Sequence, residues 1–139
     1  MSDEEHPARA MARRSMDAVG RKAKDEWVTL FADDGVVQDP VGPSPFDEAG
    51  AGHRGHEAIA RFWDATIATT ERVEFVIHDS FAAGDEVANV GTIFAYIPGG
   101  LVMRTDGVFV YRLGSDGRLQ SLRAFWEWER AMATLAPAE

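Results

Sequence analysis

The sequence contains no cysteine among its 139 residues. This absence excludes disulfide bonds, thiol nucleophiles and thiolate metal sites. A pair of histidines at helical metal-site spacing is also missing, since none of the four histidines stands four residues from another. A glycine-rich phosphate loop and a serine nucleophile elbow are missing as well. We therefore expect neither a metal ion nor a cofactor.

Long apolar runs and an excess of basic charge are also missing. No stretch approaches the roughly 20 apolar residues that span a bilayer, and the first residues have no apolar segment typical of a secretory signal. The net charge of −9 disfavours nonspecific binding to nucleic acid. Six basic residues between positions 9 and 24 are interpreted as a solvated helix face. We expect a cytoplasmic protein that binds neither membrane nor nucleic acid.

The composition that is present is typical of a globular domain. Hydrophobic residues make up 45% of the chain and charged residues 27%. A chain of this length can bury a core of its own and is close to one ordinary domain. We expect one domain over residues 1–139, with flexible tails at about 1–8 and 135–139.

Apolar residues spaced three and four apart predict three helices in the first half of the chain. The first helix covers residues 7–24. The second begins at Asp25, which could cap it, and ends at residues 33–35. The third covers residues 56–69, after a loop over residues 40–55 that is rich in proline and glycine.

Strands dominate the second half of the chain. A short strand is predicted before the loop, over residues 35–39, where Pro40 ends it. Segments rich in β-branched and aromatic residues, separated by turn pairs that contain glycine, predict four more strands over residues 71–81, 86–96, 101–113 and 119–129. Because helices come first and strands follow, we predict an α+β fold with helices packed on one face of a mostly antiparallel sheet.

Three segments carry a resemblance to a known family. They are LFADDGVVQDPVG at residues 30–42, GHEAIARFW at 55–63 and FVYRLGSDGRLQSLRAFW at 109–126. In this order they resemble the ketosteroid isomerase-like members of the nuclear transport factor 2-like, or polyketide cyclase-like, superfamily. The resemblance implies a cone-shaped, curved sheet with three N-terminal helices around an apolar pocket. It also implies a homodimer joined through the outer face of the sheet, for which we expect Val108, Val110 and Leu113.

Asp39 matches the general base of that family. In the family, this carboxylate moves a proton between carbons of an enolisable ketone, and partial shielding from water makes it basic enough for that task. The alternative interpretation is structural, because an Asp-Pro pair often begins a turn. The loop that follows is longer than in the family, and we expect it to act as a lid at the pocket mouth.

The family's two hydrogen-bond donors to the substrate oxygen are replaced here. Their positions correspond to Ser15 and Phe109. Tyr111 lies two residues after Phe109, so strand alternation places it on the same face, where its hydroxyl could donate instead. The alternative is that Tyr111 only packs its ring and bonds to water or backbone. Asp106, three residues before Phe109, is expected to point away from the pocket.

The resemblance also implies a set of residues that line the pocket and contact the substrate. This set comprises Val19, Phe31, Trp63, Phe109, Leu122 and Trp126. Apolar residues at such positions are often only core. The sequence therefore leaves three functions open: an isomerase or lyase of steroid delta-isomerase type acting on a steroid-like or polyketide-like ketone, a noncatalytic binder of such a hydrophobic small molecule, and a protein interaction module. An epoxide hydrolase is disfavoured because its Asp-Arg-Asp trio has no match.

Overall fold

Four α-helices and seven strands occur in the computed structural model, which describes residues 5–138. The helices are α1 (Pro7–Gly20), α2 (Lys24–Thr29), α3 (Gly55–Ala65) and α4 (Trp128–Met132), with a 3₁₀ helix at Ile67–Thr69. The strands are β1 (Phe31–Gln38), β2 (His53–Arg54), β3 (Arg72–Ala83), β4 (Glu86–Ile97), β5 (Leu101–Leu113), β6 (Leu119–Phe125) and β7 (Ala136–Pro137).

The strands form one sheet in the order β2-β1-β6-β5-β4-β3, with β7 paired to β5. Strands β3 to β6 are an antiparallel meander, and β1 runs parallel to β6. The predicted α+β fold with a mostly antiparallel sheet is confirmed. Helices α1 to α3 come before the meander, as expected, while α4 follows it and was not predicted.

The sheet curves around the helices because its ladder is irregular. In β3, the pairing with β4 shifts register between Ile77 and Asp79, and such a bulge bends a strand. Gly91 of β4 lies opposite this irregularity, where a Cβ atom would approach the Val76 carbonyl oxygen to 2.5 Å. The bend therefore requires glycine at this position. On the concave face, α1 approaches closely through the fully buried small residues Ala8 and Ala12.

The first two helices are shorter than predicted. Helix α1 ends at Gly20 and not at residue 24, because Lys22 adopts a left-handed conformation with φ of 60°. Asp25 lies in the first turn of α2 and does not cap it; the cap position is Ala23, without a side-chain hydrogen bond. Residues 31–34 belong to β1 and not to the second helix, since Phe31 pairs with Leu119 across the sheet.

The C-terminal segment contains a helix and a strand that were not predicted. Strand β6 ends at Phe125, before the expected limit at residue 129, and α4 follows. Residues 136 and 137 form β7 against β5, within the expected flexible tail at 135–139, whose flexibility stays a prediction. At the other end, Pro7 and Ala8 already belong to α1, and residues 1–4 lie outside the described residues.

The segment between β1 and α3 is a loop with local order. Asp47 accepts hydrogen bonds from the backbone N–H groups of Gly50 and Gly52, at 3.1 and 2.7 Å. Strand β2 pairs with β1 at its end. These contacts hold the loop beside the C-terminal end of β1. Within residues 5–138, no helix combines the length and apolarity that a membrane crossing requires.

Candidate functional site

A cavity of about 280 Å³ lies between the concave face of the sheet and the helices. Its wall is mostly apolar and comes from nearly every element of the fold. The polar side chains on it are Ser15, Asp39, Thr66, Thr69, Thr70, Thr105 and Tyr111. An apolar cavity with a few convergent polar groups is the usual form of a small-molecule site.

Asp39 follows the last residue of β1 and places its carboxylate on the cavity wall. The carboxylate is surrounded by protein but reachable from the cavity. Burial raises its pKa from 3.8 to about 6, against the smaller opposing effect of a hydrogen bond from Trp126. The Trp126 Nε1–H group donates to Asp39 Oδ1 at 2.6 Å and fixes the side chain. A carboxylate with this pKa is a competent base near neutral pH.

Tyr111 lies on the inner face of β5 with its ring buried and its side chain on the cavity wall. Burial raises the pKa of its hydroxyl well above the ordinary value, and the charge of Asp39 raises it further, while Ser15 opposes the shift. The phenol is therefore held neutral and can donate a hydrogen bond. The Trp27 indole N–H donates to Ser15 Oγ at 2.9 Å, which leaves the Ser15 hydroxyl proton for another acceptor.

Asp39 and Tyr111 together are compatible with two functions. A carboxylate base and a neutral hydroxyl in an apolar cavity can move a proton at a carbon next to a carbonyl group, because the hydroxyl stabilises the enolate oxygen. The same two groups can instead hold a polar atom of a ligand without chemistry.

Four of the six predicted lining residues lie on the cavity wall. They are Val19, Phe109, Leu122 and Trp126. Their contact with a ligand stays a prediction. Phe31 and Trp63 were also expected on the wall, but they do not line the cavity. Both are buried against Trp27, with ring centroids 5.0 and 5.4 Å from the Trp27 ring. Trp27 itself lines the cavity, so these two rings pack behind the wall.

The outer face of the sheet carries the residues that alternate with the wall. Asp106 accepts a hydrogen bond from the Thr92 hydroxyl at 2.7 Å and lies outside the cavity, as strand alternation predicts. Val108 also lies on this face. Leu113 was expected there, but it packs against the core, because it lies two residues after Tyr111 and strand alternation places both on the inner face.

Several wall residues were missed from the sequence. Phe46 comes from the loop, and Trp128, Met132 and Leu135 come from the C-terminal segment. The rings of Phe46 and Trp128 meet edge to face at 5.2 Å. No local pattern signals these positions. In contrast, period-two alternation could have found the wall residues of β3 and β4, which are Val73, Phe75, Ile93, Ala95 and Ile97.

The opening of the cavity is marked by residues that line it and are also exposed to solvent. These residues are Ala65 and Thr69 on one side and Met132 on the other. Asp39 is half-buried and Tyr111 is buried, so neither is among these exposed residues. No cluster of three histidine, aspartate or glutamate residues that could hold a metal ion occurs within the described part of the chain.

Comparison with protein families identifies one match. The sequence profile of the SnoaL-like domain matches residues 12–122, most of the chain. A comparison with curated proteins found no significant match.

Solved structures share the fold over nearly the whole chain. RV0760c from Mycobacterium tuberculosis is 28% identical, with a TM-score of 0.86 over 97% of this chain and 98% of that one. That protein was also solved in complex with estradiol-17beta-hemisuccinate. The Delta 5-3-ketosteroid isomerase from Mycobacterium sp. is 30% identical, with a TM-score of 0.84 over 95% and 98% of the chains. A computationally designed 17-OHP binder is 28% identical, with a TM-score of 0.85 over 95% and 98%.

Proposed function

The chain belongs to the SnoaL-like domain family of the nuclear transport factor 2-like superfamily, and on that premise we propose that it acts on a steroid-like or polyketide-like ketone in its cavity. Asp39 is the base that transfers the proton. The second candidate is a noncatalytic protein that binds a hydrophobic molecule of the same kind in the same cavity.

One observation carries the proposal: a carboxylate with a pKa of about 6, fixed by Trp126, faces a mostly apolar cavity. An ionised carboxylate in such a place is costly, so a purely structural role would favour a neutral side chain. The turn interpretation of Asp39 also leaves its contact with Trp126 and its access to the cavity without a purpose.

In the proposed reaction, the substrate is an unconjugated ketone, and Asp39 removes a proton from the carbon that lies between its carbonyl group and its C=C bond. The electrons of that C–H bond move to the carbonyl oxygen and form an enolate, to which the Tyr111 hydroxyl donates a hydrogen bond. Protonated Asp39 then returns the proton to a different carbon, which restores the carbonyl group and shifts the double bond. Each atom and charge is recovered, so the reaction needs no cofactor.

Catalysis is expected to be slow. Removing one donor to a developing oxyanion typically costs about 10²- to 10³-fold in rate. The two positions that supply donors in the resembled isomerases hold Ser15 and Phe109 here, and Phe109 has no hydrogen to donate. Tyr111 offsets part of this loss.

The second candidate, a noncatalytic binding protein, is favoured by the presence of Ser15 and Phe109 at the two donor positions. A cavity with a carboxylate base and weak stabilisation of the enolate retains affinity more easily than rate, because apolar contact supplies most of the binding. Two relatives are compatible with this candidate, since one was solved with estradiol-17beta-hemisuccinate and another is a designed 17-OHP binder.

The test compares wild type with Asp39→Asn on an unconjugated ketosteroid, together with binding of a phenolic steroid. The proposal expects measurable turnover that Asp39→Asn abolishes, while the variant still binds the phenol. Turnover that Asp39→Asn leaves unchanged would remove Asp39 as the base. Binding without turnover in wild type selects the second candidate. If wild type shows no binding and no turnover, both candidates are overturned.

We further propose a homodimer that forms through the outer face of the sheet. Phe81 and Phe125 expose 62% and 42% of their surfaces on this face, and Val108 and Val110 lie between them. The Arg123 guanidinium lies 5.2 Å from the Phe125 ring, so the exposed apolar side chains on this face stand beside a cation. Large apolar side chains exposed together on one face favour an interface.

A further inference from the structure

Helix α1 ends in an unusual way. The Lys22 N–H donates to the Val19 carbonyl at 3.0 Å and the Ala23 N–H to the Ala18 carbonyl at 2.8 Å, which is the hydrogen-bond pattern of a Schellman motif. In this motif the left-handed residue is usually glycine, because side chains seldom adopt a positive φ. Here that residue is Lys22, with φ of 60°. Its side chain is therefore retained despite an unfavourable backbone conformation.

The Lys22 ammonium group bonds to the end of the 3₁₀ helix that follows α3. It donates to the Ile67 carbonyl oxygen and the Thr70 hydroxyl oxygen, both at 2.8 Å, and to the Thr70 carbonyl oxygen. The carbonyl groups at the end of a helix lack partners within the helix, and a lysine side chain can satisfy them. These bonds join segments 45 and 48 residues apart in the sequence.

The ammonium group has no proton left for a ligand. An ammonium has three N–H donors, and the three acceptors on residues 67 and 70 use all of them. Partial burial of this group lowers its pKa. Lys22 is also absent from the cavity wall. Its contacts therefore indicate that it holds the chain in place and does not bind an anion.

The segment that Lys22 holds is one rim of the cavity. Thr66, Ile67, Thr69 and Thr70 all line the cavity, and Thr69 is exposed at its opening. Within residues 5–138, the other side-chain hydrogen bonds of the rim are local, since the hydroxyl groups of its threonines donate to carbonyl groups within the same segment or at the end of α3. Helix α1 contributes Ser15 and Val19 to another part of the wall. Lys22 thus joins two walls of one cavity.

We propose that Lys22 is a positioning residue that fixes the rim at residues 66–70 against α1 and thereby limits the rate at which a ligand enters and leaves the cavity. This inference rests on the proposed function only in assuming that the ligand occupies this cavity. It predicts faster exchange when the ammonium group is removed, with a smaller change in equilibrium affinity.

The first experiment needs no ligand. Amide hydrogen exchange is compared between wild type, Lys22→Met and Lys24→Met. The control residue Lys24 carries the same charge two positions away and forms a surface ion pair with Asp64 at 2.9 Å. Lys22→Met is expected to speed exchange at the amides of Thr69 and Thr70 about tenfold, the effect of losing a charge-assisted hydrogen bond. Unchanged protection at these two amides would overturn the proposal that Lys22 fixes the rim.

The second experiment measures stopped-flow tryptophan fluorescence with estradiol-17beta-hemisuccinate as the probe. Association and dissociation rates should both rise about tenfold in Lys22→Met, with Kd within about threefold of wild type. Lys24→Met should keep wild-type rates. Lys22→Arg retains a cationic donor, so its association and dissociation rates for the probe should be slower than those of Lys22→Met.

Lys22→Gly distinguishes the effect of fixing the rim from an effect on overall stability. Glycine tolerates the positive φ, so this variant should be more stable than Lys22→Met, yet it lacks the ammonium group and should exchange the probe just as fast. Wild-type exchange rates in Lys22→Gly would show that only stability matters and would overturn the proposal. If wild type does not bind the probe, the proposed ligand class fails. Amide hydrogen exchange then still tests whether Lys22 fixes the rim.

Discussion

The Asp39 carboxylate makes the stability of the protein depend on pH. Its pKa is about 6 in the folded state and near 3.8 when exposed, so between these values the folded state binds a proton that the unfolded state has lost. The free energy of unfolding therefore falls as pH rises through this window. At pH 7, Asp39→Asn should be more stable than wild type by up to about 3 kcal/mol.

Denaturant unfolding at several pH values checks this prediction. The gain should vanish near pH 4, where Asp39 is protonated in the folded wild type. Asp85→Asn is the matched control, because Asp85 is exposed in the turn between β3 and β4. A gain independent of pH would contradict the proposed burial of a charged Asp39.

The Tyr111 hydroxyl is expected to act in the transition state more than in binding. Tyr111→Phe keeps the ring and removes the hydroxyl donor, so kcat on an unconjugated ketosteroid should fall about 10²-fold or more. Steady-state kinetics checks this. A raised KM with unchanged kcat would show that Tyr111 only binds the substrate.

The loop over residues 40–55 is predicted to be a lid, and its contact with α4 supports that role. Phe46 reaches the cavity wall and packs edge to face on Trp128, so loop and helix cover the cavity together. Phe46→Ala should weaken binding of a phenolic steroid about tenfold through loss of apolar contact. Titration of tryptophan fluorescence measures the change.

Glu48→Ala is the control for this element. Glu48 is exposed in the same loop and is absent from the cavity wall. Its replacement should leave affinity unchanged. If Phe46→Ala binds the steroid as tightly as wild type, the loop is a connection and not a lid.

The whole molecule is predicted to dimerise through its outer sheet face. Phe125→Glu places a charge at a side chain that is already 42% exposed, so the monomer should fold normally while the dimer should dissociate. Light scattering after size-exclusion chromatography distinguishes the two states. Ala49→Glu adds the same charge in the loop and should remain dimeric. A monomeric wild type at micromolar concentrations would refute the interface.

Local patterns in the sequence determined most of the elements and part of the site. Alternation along β5 placed Phe109 and Tyr111 on one face and Asp106 on the other, because successive strand residues point to opposite sides. Helical spacing located α1 and α3. The position of Asp39 before Pro40 also put it at a strand end. Each of these properties depends on neighbours a few residues away.

Only the tertiary structure decided which apolar residues bound empty space. Phe31 and Phe109 are both buried aromatic residues, yet Phe31 packs behind Trp27 while Phe109 faces the cavity. The contact that fixes Asp39 joins it to Trp126 across 87 residues. Whether a buried side chain meets a cavity or another side chain depends on the spacing of layers that distant segments form. No short-range pattern in the sequence encodes that spacing.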